Sequence, residues 1–187
     1  MNELLRWLLM TFAWTVVLLL FVLWRIPRFI TRRVIRRFGE NFGGDPWNKL
    51  RYNGLPDASA NPLVATSPDM LLIFGTYDVT NGPVSIRCKV PPLDNYWSIS
   101  LYAWNTDNFF VLNDRTARLR AFDVVVVPPD ATHANKKEDE EVVVAPTPKG
   151  IVIVRAVVKD RDNREEITQL EGIMRQIAII PHSEIAK

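Results

Sequence analysis

The sequence predicts a mainly β domain, an antiparallel two-sheet sandwich or barrel-like body with a C-terminal helix, preceded by one N-terminal transmembrane helix. Three observations predict it: 18 residues without a charge near the N-terminus, a run of short period-two segments between turn residues, and a helical pattern near the end. The 187 residues are 48% hydrophobic and include nine Phe, six Trp and four Tyr, enough to bury the core of one domain.

The charge-free stretch is Trp7–Trp24, WLLMTFAWTVVLLLFVLW. At ~1.5 Å per residue it makes about 27 Å of helix, close to the ~30 Å hydrocarbon thickness of a bilayer. Trp7 and Trp24 stand at its ends, where indole rings favour the headgroup level, and Arg6 and Arg25 can reach outward. A cleaved signal peptide would have a shorter apolar region and a small-residue cleavage site, and Trp24-Arg25-Ile26-Pro27-Arg28 offers none. A retained single-span anchor is expected within residues 1–40.

Arg25, Arg28, Arg32, Arg33, Arg36 and Arg37 follow the span, with Ile26, Ile30, Val34 and Phe38 recurring every four residues between them. Two geometries fit: a helix lying on an anionic lipid surface with this stripe inward, or a charged continuation of the spanning helix. Both bring Trp7, Trp24 and the six arginines to the membrane. The bias of arginines to the C-terminal side predicts, by the positive-inside rule, a cytoplasmic body.

Residues 41–68 hold Gly43, Gly44 and four prolines with little periodicity and read as a linker. The β-rich body is expected over 69–187. Leu71–Tyr77 is the first strand, closed by Asp78 and an Asn81-Gly82-Pro83 turn. Val84, Ile86, Cys88 and Val90 then alternate with polar residues as in a half-buried strand, which Pro91-Pro92 stops. Tyr96–Trp104 places Trp97, Ile99 and Leu101 on one face. Phe109–Leu112, Phe122–Val127, Val142–Ala145 and Ile151–Val158 complete seven strands, and the unbroken Val124–Val127 run predicts burial on both faces. Pro128–Glu141 is polar, with Lys136-Lys137 against four consecutive acids, and reads as an exposed loop. Asp162 or Asn163 can cap a final helix in which Ile167, Leu170 and Met174 share a face.

Charge and motifs exclude more than they assign. Residues 1–40 carry seven arginines against two acids, whereas 41–187 carry 16 basic against 19 acidic residues, so the body has no electrostatic footprint for nucleic acid. His133 and His182 have no metal-type neighbours at ligand spacing, and Cys88, the single cysteine, sits on an apolar strand face. No nucleophile elbow or phosphate-binding glycine loop occurs. No catalytic residue, metal or cofactor is expected. Asn113-Asp114-Arg115 follows an apolar run, where an Asp–Arg pair can hold a turn or offer Arg115 to an anion. Tyr96, Tyr102 and Trp104 fall on the face opposite Trp97 and are candidates for a ligand or partner surface.

The segments Asp78…Gly82-Pro83-Val84, Tyr96-Trp97-Ser98-Ile99-Ser100-Leu101-Tyr102, Leu112-Asn113-Asp114-Arg115, Phe122–Val127 and Gly150–Arg155, in that order, resemble the bacterial family of unknown function numbered 1254. The resemblance spans roughly residues 61–178 and implies a short, membrane-anchored, single-domain member. It carries over no catalytic residues. Long members fuse this domain to a second β-rich domain, numbered 1214, which implies a separate partner supplying that domain here. Exported relatives imply a periplasmic body on a bacterial inner membrane, against the arginine count. The expectation is an accessory or interaction subunit of an inner-membrane or envelope complex rather than an enzyme. The alternative is a small-ligand binder or enzyme with a pocket near Asp114 and Arg115.

Overall fold

The computed structural model describes residues 2–56, 67–89, 94–117, 121–131 and 138–182. Part of the linker stretch (57–66), the Pro91-Pro92 stop, His133 and Lys136-Lys137 lie outside those residues.

α1 is one unbroken helix, Glu3–Glu40, with Pro27 inside it. Its 38 residues contain a window of mean hydropathy 2.3, long and apolar enough to cross a membrane. Pro27 has no N–H to give the preceding turn. Beside that gap the Arg28 guanidinium donates to the Trp24 carbonyl at 2.6 Å. The helix continues past the apolar stretch as far as Glu40. Its buried residues are Thr31, Ile35, Phe38 and Gly39, while Ile26, Ile30 and Val34 are exposed. The four-residue stripe is thus split, and Phe38 turns to the domain, its ring edge-on to Phe74 at 5.1 Å.

The body is two packed sheets. The first has the order β1-β2-β8-β4-β5, formed by Lys49–Tyr52, Met70–Asp78, Lys149–Val157, Trp97–Ala103 and Asn108–Asn113, all antiparallel. The second has the order β7-β6-β3-β9, formed by Glu140–Val144, Ala121–Val127, Val84–Lys89 and Ala178–Pro181. Period-two alternation supplies the core: Leu71, Ile73 and Tyr77 of β2, Ile99 and Leu101 of β4, and Val152 and Val154 of β8 meet Ile86, Cys88, Val124 and Val126. Val125 and Val127 are buried as well, so β6 is covered on both faces as its continuous valine run predicts.

Three features go beyond the expected strands. β1 lies within the 41–68 stretch, and its edge position on β2 requires Gly75, where any side chain would collide with Leu50 and the Lys49 carbonyl. β9 adds an edge to β3 after the last helix. β7 runs parallel to β6. A parallel neighbour needs a long crossover rather than a hairpin, and the polar segment after Val127 provides it. That segment ends in the ladder, with Glu140 only 6% exposed, so it is not wholly an exposed loop.

α2 spans Arg164–Met174. Asn163 caps it by accepting from the Glu166 amide at 3.2 Å, and Leu170 and Met174 enter the core beside half-buried Ile167.

Candidate functional site

The cationic collar is built by helix periodicity. The guanidinium of Arg28 lies 4.6 Å from the centre of the Trp24 ring and that of Arg25 lies 5.8 Å from it. Two cations thus share one indole at the end of the apolar stretch, an arrangement suited to a headgroup layer. Arg32, Arg33, Arg36 and Arg37 are exposed along the next three turns.

The aromatic residues of the β4 segment take separate roles. Tyr96 is 42% exposed. Tyr102 is half-buried and its hydroxyl accepts from the Arg155 guanidinium at 3.3 Å. Trp104 is half-buried against Trp47, ring centres 6.1 Å apart, and Lys149 sits over Trp47 at 4.3 Å while pairing with Asp78 at 2.9 Å. Burial pushes the Asp78 carboxyl upward, but hydrogen bonds from Lys149, the Thr80 hydroxyl and the Thr80 amide more than offset it, leaving the carboxyl below its ordinary range. Trp104 and Tyr102 are therefore tied into the body.

Asp114 and Arg115 are both exposed, in a turn held by other residues. The Asn113 side-chain oxygen accepts from the Arg115 and Thr116 amides at 3.0 and 3.1 Å, and the Thr116 hydroxyl accepts from the Asn113 amide at 3.0 Å. The turn-holding chemistry expected of the Asp–Arg pair belongs to Asn113, a side chain suited to bonding its own backbone two residues on.

Three concavities are seen among the described residues. A small apolar one of about 10 Å³, hardly one water, lies among Cys88, Trp97, Phe122 and Met174. Burial pushes the Cys88 thiol up, with Asp123 adding to it, so this sulfur is no nucleophile. A polar cleft lies at the start of α2 among Asp94, Asn95, Lys159 and Glu166. The Glu166 carboxylate there accepts from the Lys159 amide (2.8 Å) and Asn95 (2.5 Å), which holds its pKa down and fastens α2 to the strand end. A third groove runs along α1 between Trp7, Thr11, Trp14 and Leu18. Neither Asp114 nor Arg115 lines any of these.

One constellation escaped the sequence reading. On the outer face of the second sheet, Ser85 Oγ lies 2.8 Å from His182 Nδ1, and His182 Nε2 lies 3.8 Å from Glu140 Oε1. The three come from β3, the residue after β9, and β7, separated by up to 97 positions, so no local spacing announces them. The residue types resemble a nucleophile–base–acid relay, but Ser85 is 1% exposed, the imidazole 9% and the carboxylate 5%. Ser85 is thus closed off within the body, and what the arrangement does is fasten the chain end across the sheet. Among the described residues no group of three His, Cys, Asp or Glu side chains could hold a metal ion.

The family model described as "Protein of unknown function (DUF1254)" matches residues 47–181, and the chain belongs to that family. Among curated proteins none matches. Of solved structures, the chain is similar to the VPA0106 protein from Vibrio parahaemolyticus, with TM-score 0.66 and 14% identity over 86% of this chain and 36% of that one. It is also similar to an uncharacterised protein from Burkholderia cenocepacia, with TM-score 0.47 and 14% identity over 73% of this chain and 34% of that one. The first likeness shows the fold. The chain spans about a third of the length of either.

Proposed function

We propose that this protein is a membrane-anchored accessory subunit, a β domain held close to a bacterial inner membrane for a partner that completes it. The observation carrying the reading is the continuity of α1. The same helix holds the apolar stretch Trp7–Trp24 and the buried Thr31–Ile35–Phe38 face, with no flexible break between. From Trp24 to Thr31 is about 10 Å of helix, so an inserted α1 fixes the domain within the reach of the headgroups. A partner is supported by the length of the solved relatives, since the matched part is only 36% of the Vibrio protein. The remainder of such chains is what a separate polypeptide, of the kind numbered 1214, would supply. Tyr96, exposed beside the sheet, is the aromatic residue we assign to partner contact. The body faces the periplasm in this reading, on the strength of exported relatives and against the six arginines that follow the span.

The test is mild-detergent extraction from native membranes with a tag after Lys187, then mass spectrometry of what co-elutes and its stoichiometry. A stoichiometric membrane or envelope partner is expected. A chain that elutes without one contradicts the subunit reading. A compartment-specific reporter after Lys187 decides the side: activity only in the periplasm is expected, and activity in the cytoplasm reverses the assignment.

A further inference from the structure

We propose that α1 is also an association element: inside the bilayer a second copy of this chain packs in parallel against the Trp7–Thr11–Trp14–Leu18 face. The inference rests on reading α1 as a retained span.

The two sides of the helix differ in chemistry. Trp7, Thr11, Trp14, Thr15 and Leu18 recur at the spacings of one helical face and enclose a shallow groove, small threonines lying between large rings. The opposite side, Leu9, Ala13, Val16, Leu20 and Leu23, has no polar side-chain atom. Every side-chain donor and acceptor between Trp7 and Trp24 thus lies on the first face.

Trp14 makes that face costly in lipid. It sits about two residues from the middle of the Trp7–Trp24 stretch, roughly 10–15 Å of helix from either end, too far for its indole to reach headgroups. An N–H without an acceptor is poorly tolerated in hydrocarbon. Thr15 spends its own proton on the Thr11 carbonyl at 2.8 Å, so its oxygen is left as an acceptor. Copies of one chain insert in the same direction and meet in parallel. Side chains on a helix lean toward its N-terminus, so the Trp14 indole lies at the level of the Thr11–Thr15 turn, where a parallel second copy would carry its own threonines. Donor and acceptor lie on the same face, which is what a two-fold interface needs.

The domain leaves this face open. At about 100° per residue, Thr31, Ile35 and Phe38 point roughly 140° round the helix from Thr11 and Leu18. Two helices can therefore meet along the groove with their domains outward. The Trp–Thr pairs lie in the hydrocarbon, and Arg25 and Arg28 lie beyond its edge.

Cysteine cross-linking of the full chain in native membranes tests this. The single native thiol, Cys88, is buried and is replaced by alanine. Single cysteines at Thr11 and Leu18 should give, on oxidation, on the order of tenfold more dimer than cysteines at Leu9 and Leu20. Trp14→Phe keeps the ring and removes the N–H, and should weaken association roughly three- to thirtyfold. Equal cross-linking on both faces, no dimer, or seam cysteines joined only to a different protein overturns the second-copy assignment while leaving the anchor intact. Recovery of the chain outside the membrane fraction overturns the anchor and this inference together.

Discussion

α1 and the β body apply one rule to opposite surroundings. In the body, apolar side chains alternate inward, and Ile99, Leu101, Val124 and Val152 are fully buried. On α1 the same residue types point outward all round: every exposed large apolar side chain among the described residues lies on it except Tyr96, Val111 and Val144. A water-soluble protein rarely tolerates so large a contiguous apolar surface. On the proposed anchoring, the contrast is that of a chain built for two solvents, with the changeover beginning beyond Trp24.

Substitutions can break the contrast from either side. The largest effect is expected in the body: Leu101→Ala should lower domain stability by about 2–5 kcal/mol in a denaturant titration, because it opens a cavity in a fully packed site. Leu19→Ala, the same change on α1, should leave the domain's unfolding midpoint where it was. Val17→Arg reverses the sensitivity. It should cost about 2.5–3.5 kcal/mol of membrane insertion, read as loss from the membrane fraction, without touching the fold of the body.

His182→Ala should cost about 1–3 kcal/mol, since the buried Ser85 hydroxyl loses its partner at 2.8 Å. Unchanged stability would mean that the chain end is not fastened there. The smallest effect concerns Asp78. Its carboxyl is held below the ordinary range when folded, so its contribution is present above the unfolded value near ~3.9 and fades as pH falls through the folded one. Asp78→Asn should therefore cost about 1 kcal/mol or less at neutral pH. The gap to the unsubstituted protein should close below about pH 4; a gap that stays constant in acid would show that charge is not involved.

How much of this was legible in the sequence follows the same division. Strands with several alternating apolar residues could be read, as could a helix cap at Asp162 or Asn163, which the structure gives to Asn163, and the double burial of Val124–Val127. β1 and β9 could not. Lys-Leu-Arg-Tyr and Ala-Ile-Ile-Pro are four residues each, one charged and one ending in proline, and they are strands only because β2 and β3 offer them an edge. Tertiary pairing, not local preference, makes them. The end of α1 was half legible, because a stripe of every fourth residue marks an apolar side without saying whether lipid or a sheet will cover it. Phe74, some 36 positions from Phe38, decided that. Asp114 and Arg115 drew attention as a charged pair, while the residue holding the turn was the neutral Asn113. Ser85, Glu140 and His182 could not be assembled at all without the register of the second sheet.

The most direct test of the two-solvent account is fractionation of the full chain followed by intact mass. The account predicts recovery in the membrane pellet after an alkaline wash, release by detergent, and a mass near the full 21.5 kDa. A soluble chain shortened to begin beyond Trp24 would contradict it, making the apolar stretch a removed leader and the domain a free one.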